Sequence, residues 1–161
     1  MRKTRNRPRI PTPVAGSFLN MAREYHLAAT TLFGIRDQAQ SPLYFLYTHA
    51  IELALKAYIR SRGAAGRSIH DLEALLQTSG KLGLDVSRDL RNVVGLLTSD
   101  NRHHGFRYFA LVSTSRPDLA FLREVADAVM ADVTVLVEAT ADDTDNRAAV
   151  VKLVFGKPEP K

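Results

Sequence analysis

The stretch SPLYFLYTHAIELALKAYIRSRG, residues 41–63, limits the fold more than any other part of the chain. Ser41 and Pro42 suit an N-cap and a first helical position, no glycine or proline interrupts the run after them, and Gly63 supplies a stop. Its apolar residues cover most of a helical circumference, so no broad face is polar enough to lie against water. A helix of this kind has to be central. Either other helices of the same chain surround it, or it lies at a subunit interface.

Other segments show the three-and-four spacing of amphipathic helices. Residues 18–37 put Phe18, Met21, Ala22, Tyr25, Ala28, Ala29, Leu32 and Phe33 on one stripe, with Ser17 as N-cap and Gly34 weakening the last turn. Ser68 opens SIHD, a capping-box-like start with Asp71 at the third helical position, and the helix that follows stops at Gly80. The next helix starts near Asp85 or Ser87, buries Val86, Leu90, Val93, Val94 and Leu97, and breaks at Asp100 to Gly105. A last one begins at Pro117-Asp118 and runs to about Thr140, with Leu119, Leu122, Val125, Ala126, Val129, Val133 and Leu136 on one side.

After it, ADDTDN reads as a turn. FRYFALVS (106–113) and AVVKLVF (149–155) read as extended and can pair into a small ribbon. The expected fold class is all-α: an antiparallel up-and-down bundle of four to five helices, with a possible small C-terminal β-ribbon. The expected organisation is a basic flexible arm over 1–16, the bundle over 17–140 and an extension over 141–161.

Composition narrows the function classes. A chain of 161 residues suits one domain with a sizeable core. Cysteine is absent, which excludes disulfides, thiolate catalysis and cysteine metal sites. The N-terminus is basic but no apolar h-region follows it, and no run reaches the roughly 18 apolar residues of a membrane span. A cytoplasmic protein is expected. The net charge of +5 is local: Arg2, Lys3, Arg5, Arg7 and Arg9 fall in the first nine residues without an acid. Removing those five from 22 basic groups leaves 17, equal to the 17 acidic groups. Such a block is either a solvated tail or an arm that contacts nucleic-acid phosphates.

Three groups of residues bear on chemistry. His49, Glu52, Lys56 and Arg60 are spaced by three, four and four, which puts them on one face of the central helix. They form either a packing ladder or a general base beside cationic neighbours. His70-Asp71, at a helix start, suits capping and packing. Asn101-Arg102-His103-His104-Gly105-Phe106-Arg107-Tyr108 is the densest polar cluster and mixes cations with aromatics, as phosphate and base contacts require. The alternative is a solvated loop whose aromatics pack inward. No phosphate-binding glycine loop, zinc motif, nucleophile elbow or dinucleotide fingerprint occurs, so no metal or cofactor is expected.

The string HAIELALK followed by HDL resembles a bacterial branch of the HEPN domain, and Arg107-Tyr108 is similar to an R-Y element of that branch. The resemblance covers roughly residues 18–140. It implies a four- or five-helix bundle, commonly a homodimer. Many members are metal-independent ribonucleases or toxins paired with a nucleotidyltransferase-type antitoxin, and others are non-catalytic RNA or nucleotide binders. Catalytic members carry an arginine and a polar residue, then a histidine a few positions on, near the end of a late helix. Here Arg91-Asn92 is followed in that window by Leu96, Leu97 and Thr98, and Arg102 by Arg107, Tyr108 and Phe109. His103 and His104 lie out of register. The resemblance therefore implies a member without the usual motif: a binding component of a bacterial defence or toxin–antitoxin system. The alternative is a ribonuclease with a displaced site, Arg102, His103 and His104, completed across a dimer.

Overall fold

The computed structural model describes residues 14–35, 40–65, 69–102 and 116–155, with side chains to residue 98 in the third segment and to 142 in the last. Among the described residues there are five helices and no strand: α1 (Ala15–Ile35), α2 (Gln40–Ser61), α3 (Leu72–Lys81), α4 (Arg88–Arg102) and α5 (Leu119–Phe155).

Helix α2 is the middle of the molecule. Every residue from Ala50 to Ile59 is buried within the single chain. Of the two positions open to such an apolar helix, the structure takes the first: α1, α3 and α5 all pack against α2. Tyr47, Ile51, Leu55, Tyr58 and Ile59 are fully buried, each contributing about 1.5–3 kcal/mol of apolar burial. Tyrosine adds a polar end that needs a partner. Tyr58 donates to the Leu82 carbonyl at 3.0 Å, and Tyr44 to the Pro117 carbonyl at 2.5 Å. These bonds tie the α3 exit and the α5 start to the central helix.

Paired residues give the directions. Arg23 meets Glu138, His26 meets Asp127 and Arg123 lies over Phe33, so α1 and α5 are antiparallel. Tyr25 touches His49 while His26 touches Tyr47, so α1 and α2 are antiparallel as well. Helix α3 begins beside the middle of α2, where His70 reaches Glu52, and ends at the level of Tyr58. Helix α4 packs on α3 and α5, with Leu90, Val93, Val94 and Leu97 turned inward.

The helix starts follow side-chain caps. Asp71 is the N-cap of α3, accepting from the amides of Glu73 and Ala74 at 2.9 and 3.3 Å. This corrects the expectation of Asp71 inside the helix behind Ser68, which lies outside the described residues; the short Asp71 carboxylate reaches the first-turn amides only from the cap position. Ser87 caps α4 through Leu90, and Asp118 caps α5 through Ala120 and Phe121. Helix α1 starts ahead of Ser17, because the Val14 carbonyl already accepts from Ser17 and Phe18.

Two further expectations are corrected. Residues 149–155 are the end of α5, so the expected strand does not form there; its partner, 106–113, lies outside the described residues. Nothing between Thr140 and Phe155 is glycine or proline, and a helix already nucleated continues at little cost until Gly156. In α1, Met21 is 43% exposed and Ala28 is also exposed, because the buried stripe is narrower than the apolar one.

The α3–α4 turn depends on Gly83, whose φ of 98° is unfavourable for any residue with a Cβ. Gly95 sits inside α4, and a methyl group at its Cβ position would meet open space. We expect Gly83→Ala to destabilise by about 1–2 kcal/mol and Gly95→Ala to stabilise by up to about 1 kcal/mol. Urea denaturation of the two variants measures both signs.

Candidate functional site

A carboxylate buried in the middle of an apolar helix requires partners, since burial disfavours its charged form. Glu52 is 6% exposed and Lys56, one turn later, 3%. Lys56 Nζ donates to Glu52 Oε1 at 2.6 Å, His70 Nδ1 lies 3.0 Å from the same oxygen, and His49 Nδ1 lies 3.5 Å from Oε2. The hub therefore draws two groups from α2 itself and a third from the residue before the α3 cap. The loop after α2 is what brings His70 back to the middle of that helix.

Burial pushes the Glu52 carboxyl up. Hydrogen bonds from His49 and Lys56, the Lys56 charge and the His70 hydrogen bond outweigh it and hold the group at about 2. Glu52 is thus an acceptor at neutral pH, and the His70 nitrogen facing it has to carry the proton. That leaves His70 Nε2 directed away from the hub on a side chain 78% exposed. His49 is fixed more firmly: its ring stacks on Phe45 (centroids 5.7 Å apart) and meets the Tyr25 ring edge-on at 4.4 Å. Chemically, the arrangement can orient two imidazoles around one carboxylate. Lys56 is too enclosed to meet a ligand.

Of the four residues expected on one face of α2, His49, Glu52 and Lys56 come together. Arg60 does not join them: it faces the end of α2, with Nη1 3.4 Å from the Ala64 carbonyl and Nε buried without a hydrogen-bond partner. His70, read from sequence as part of a capping pair, belongs to the hub. The α1–α5 seam was not legible at all. His26 Nε2 lies 2.6 Å from Asp127 and Arg23 lies 2.5 Å from Glu138, pairs separated by more than a hundred residues in the chain. Each of these residues looks like ordinary helix-surface polarity in the sequence.

Arg102 is the last residue of α4. His103, His104, Arg107 and Tyr108 lie outside the described residues, as do Arg2, Lys3, Arg5, Arg7 and Arg9. Arg91 is exposed, and its Nη2 donates to the Val86 carbonyl at 2.6 Å. Among the described residues no group of three or more His, Asp or Glu is arranged to hold a metal ion, and no helix is long and apolar enough to cross a membrane.

An all-helical bundle wound around an apolar helix with an internal carboxylate hub is the class that fold and site define. The family model of the HEPN domain matches residues 17–140, and the chain belongs to the HEPN family. No curated protein and no solved structure matches the chain significantly.

The hub has two measurable consequences. Lys56→Met leaves Glu52 short of its main partner and is expected to cost about 3–5 kcal/mol, whereas the double change Glu52→Gln/Lys56→Met costs less than Lys56→Met alone; chemical denaturation of the variants checks the order. The second is acid sensitivity. Because the folded-state value is depressed, the Glu52 contribution is whole above the unfolded value of about 4.3 and is lost as pH falls through about 2. It amounts to on the order of 3 kcal/mol at 1.36 kcal/mol per pH unit. Denaturation midpoints followed from pH 5 down to about 2 are expected to fall more steeply in the wild type than in Glu52→Gln.

Proposed function

We propose that this HEPN chain acts by binding RNA or nucleotide rather than by cutting RNA, as a homodimeric component of a bacterial defence or toxin–antitoxin pair. The observation that carries the reading lies in α4. Of the three positions at which the family's catalytic histidine would follow Arg91, Leu97 is fully buried and Thr98 is 7% exposed, both turned into the core, while Leu96 is half-buried, and the Arg91 guanidinium is engaged with the Val86 carbonyl. A histidine at position 97 or 98 would face packed side chains, not a phosphodiester.

The binding half rests on charge. The excess of basic groups belongs to the segment before α1, with Arg2, Lys3, Arg5, Arg7 and Arg9, beside a bundle that is formally neutral. Arg107 and Tyr108 add a cation and an aromatic after α4. The proposed division is a basic arm over 1–16, a bundle over 17–140 and an extension over 141–161. The proposed partner is a nucleotidyltransferase-type antitoxin in the cytoplasm. For the homodimer, α1 and the residue before it offer a line of apolar residues at seven-residue intervals: Val14, Met21, Ala28 and Ile35, with Val14 and Ile35 exposed to 62% and 70%. Apolar side chains in a row on one helix are suited to pairing with a second copy.

The purified protein, incubated with single-stranded RNA in EDTA, is expected to bind it and leave it intact. Binding should weaken steeply between about 50 and 200 mM salt and fall when residues 1–13 are deleted. Metal-independent cleavage abolished by Arg102→Ala or His104→Ala would instead establish the displaced ribonuclease site.

A further inference from the structure

The described histidines differ in what their rings can meet. His26 Nε2 is engaged 2.6 Å from Asp127, on a side chain 22% exposed. His49 is 26% exposed, with its ring between Phe45 and Tyr25. His70 combines two properties that the others lack together. Its Nδ1 lies 3.0 Å from the Glu52 carboxylate, and its side chain is 78% exposed. A neutral imidazole carries one proton, so a proton held on Nδ1 leaves the Nε2 lone pair bare. In His70 that lone pair stands in solvent.

Glu52 makes this nitrogen a better nucleophile. An imidazole that attacks through Nε2 gains positive charge, and a carboxylate at Nδ1 stabilises the charge as it develops. Glu52 is 6% exposed, so water screens its charge little, and its carboxyl is held ionised at about 2. Lys56 holds the same oxygen from the α2 side at 2.6 Å, which keeps the carboxylate from swinging away. The backbone beside His70 is fixed too, because Asp71 is the N-cap of α3. The ring is therefore oriented before any reagent arrives.

Exposure selects among the roles open to a carboxylate-bound histidine. His70 lines neither the cleft between α1, α2 and α5 nor the one between α3 and α4, so neither wall holds a small substrate against it for general-base work. Among the described residues no group of three ligands forms around it for a metal ion. An electrophile that is attacked directly needs only an accessible lone pair. We propose that His70 is a phosphoryl-acceptor site, modified at Nε2 by a donor of the phosphoramidate class. The Nε2 lone pair attacks phosphorus and forms an N–P bond. The donor's own P–N bond breaks, and its electron pair leaves on the donor nitrogen, which takes a proton from solvent. Nδ1 keeps its proton, and the imidazolium charge of the product faces Glu52. This modification goes beyond the RNA-binding reading and does not depend on it.

The test incubates the full chain with phosphoramidate at about pH 8, where the imidazole is neutral. Peptide mass spectrometry follows each histidine, and phosphorus NMR identifies the isomer. His70 is expected to react about tenfold faster than His26, His49, His103 or His104, and to give the Nε2 isomer alone. Glu52→Gln is expected to slow His70 about tenfold and to leave His103 and His104 unchanged. Phosphorylation of His70 no faster than that of His103 or His104 overturns the site, as does a product on Nδ1. Both readings come from the wild type, so they stand even where Glu52→Gln does not fold. A folded Glu52→Gln that reacts at the wild-type rate also overturns it. Diethyl pyrocarbonate, which acylates accessible imidazoles, is the control: a His70 that it labels and phosphoramidate does not is no phosphoryl acceptor, and the proposal fails.

Discussion

The structure depends on how α2 carries two charges through the centre of the protein. Enclosing this helix on its sides buries tyrosine, leucine and isoleucine side chains that no solvated helix could hide, and it also buries Glu52 and Lys56. A carboxylate and an ammonium removed from water cost several kcal/mol each unless they are paired and hydrogen-bonded. Their spacing of four residues within one helix supplies the pair locally, and His49 and His70 complete it. The position of α3 follows. Asp71 caps that helix, and the residue before it is held by Glu52, so the hub and the cap together set where α3 starts.

Seen from the hub, the molecule separates its polar functions. The interior set is engaged: Lys56 is enclosed, His49 is clamped between two aromatic rings, and only His70 reaches solvent freely. Arg60, on the same helical face, stands apart at the end of α2 beside a cleft. One face of one helix thus serves packing at its centre and presents a cation at its end. Burial decides which role each residue takes. Glu52 and Lys56 have no room for a ligand, whereas the His70 ring stands in solvent.

Helix α4 tells the complementary story. In family members that cleave RNA, the end of a late helix has to present arginine and histidine outward. Here two of the three positions open to the histidine, Leu97 and Thr98, are used for the core, and Arg91 is turned onto the backbone before the helix. A helix turn cannot present the same positions both to a core and to a substrate. This geometric exclusion, together with the location of positive charge, is why the functional reading favours binding.

Much of the architecture was legible because it rests on periodicity and local chemistry. The central helix, the inward faces of α4 and α5 and the starts of those two helices near Ser87 and Asp118 follow from spacings within a turn or two, whereas Ser17 and Ser41, read as N-caps, lie inside α1 and α2. Membership of the HEPN family agrees with the HAIELALK and HDL strings that pointed to it. The boundary errors had local causes too: Asp71 is the cap itself and not a residue of the first turn, and the last turns of α5 read as a strand because Val and Phe are enriched in strands. What only the tertiary structure decided is which distant residues meet. That His70 completes the Glu52 hub, that Arg23 and His26 pair with α5, and that Arg60 is left facing a cleft all depend on how far each helix is rotated and shifted against its neighbours. Those offsets come from side-chain packing across the whole bundle, and a one-dimensional spacing rule holds no information about them.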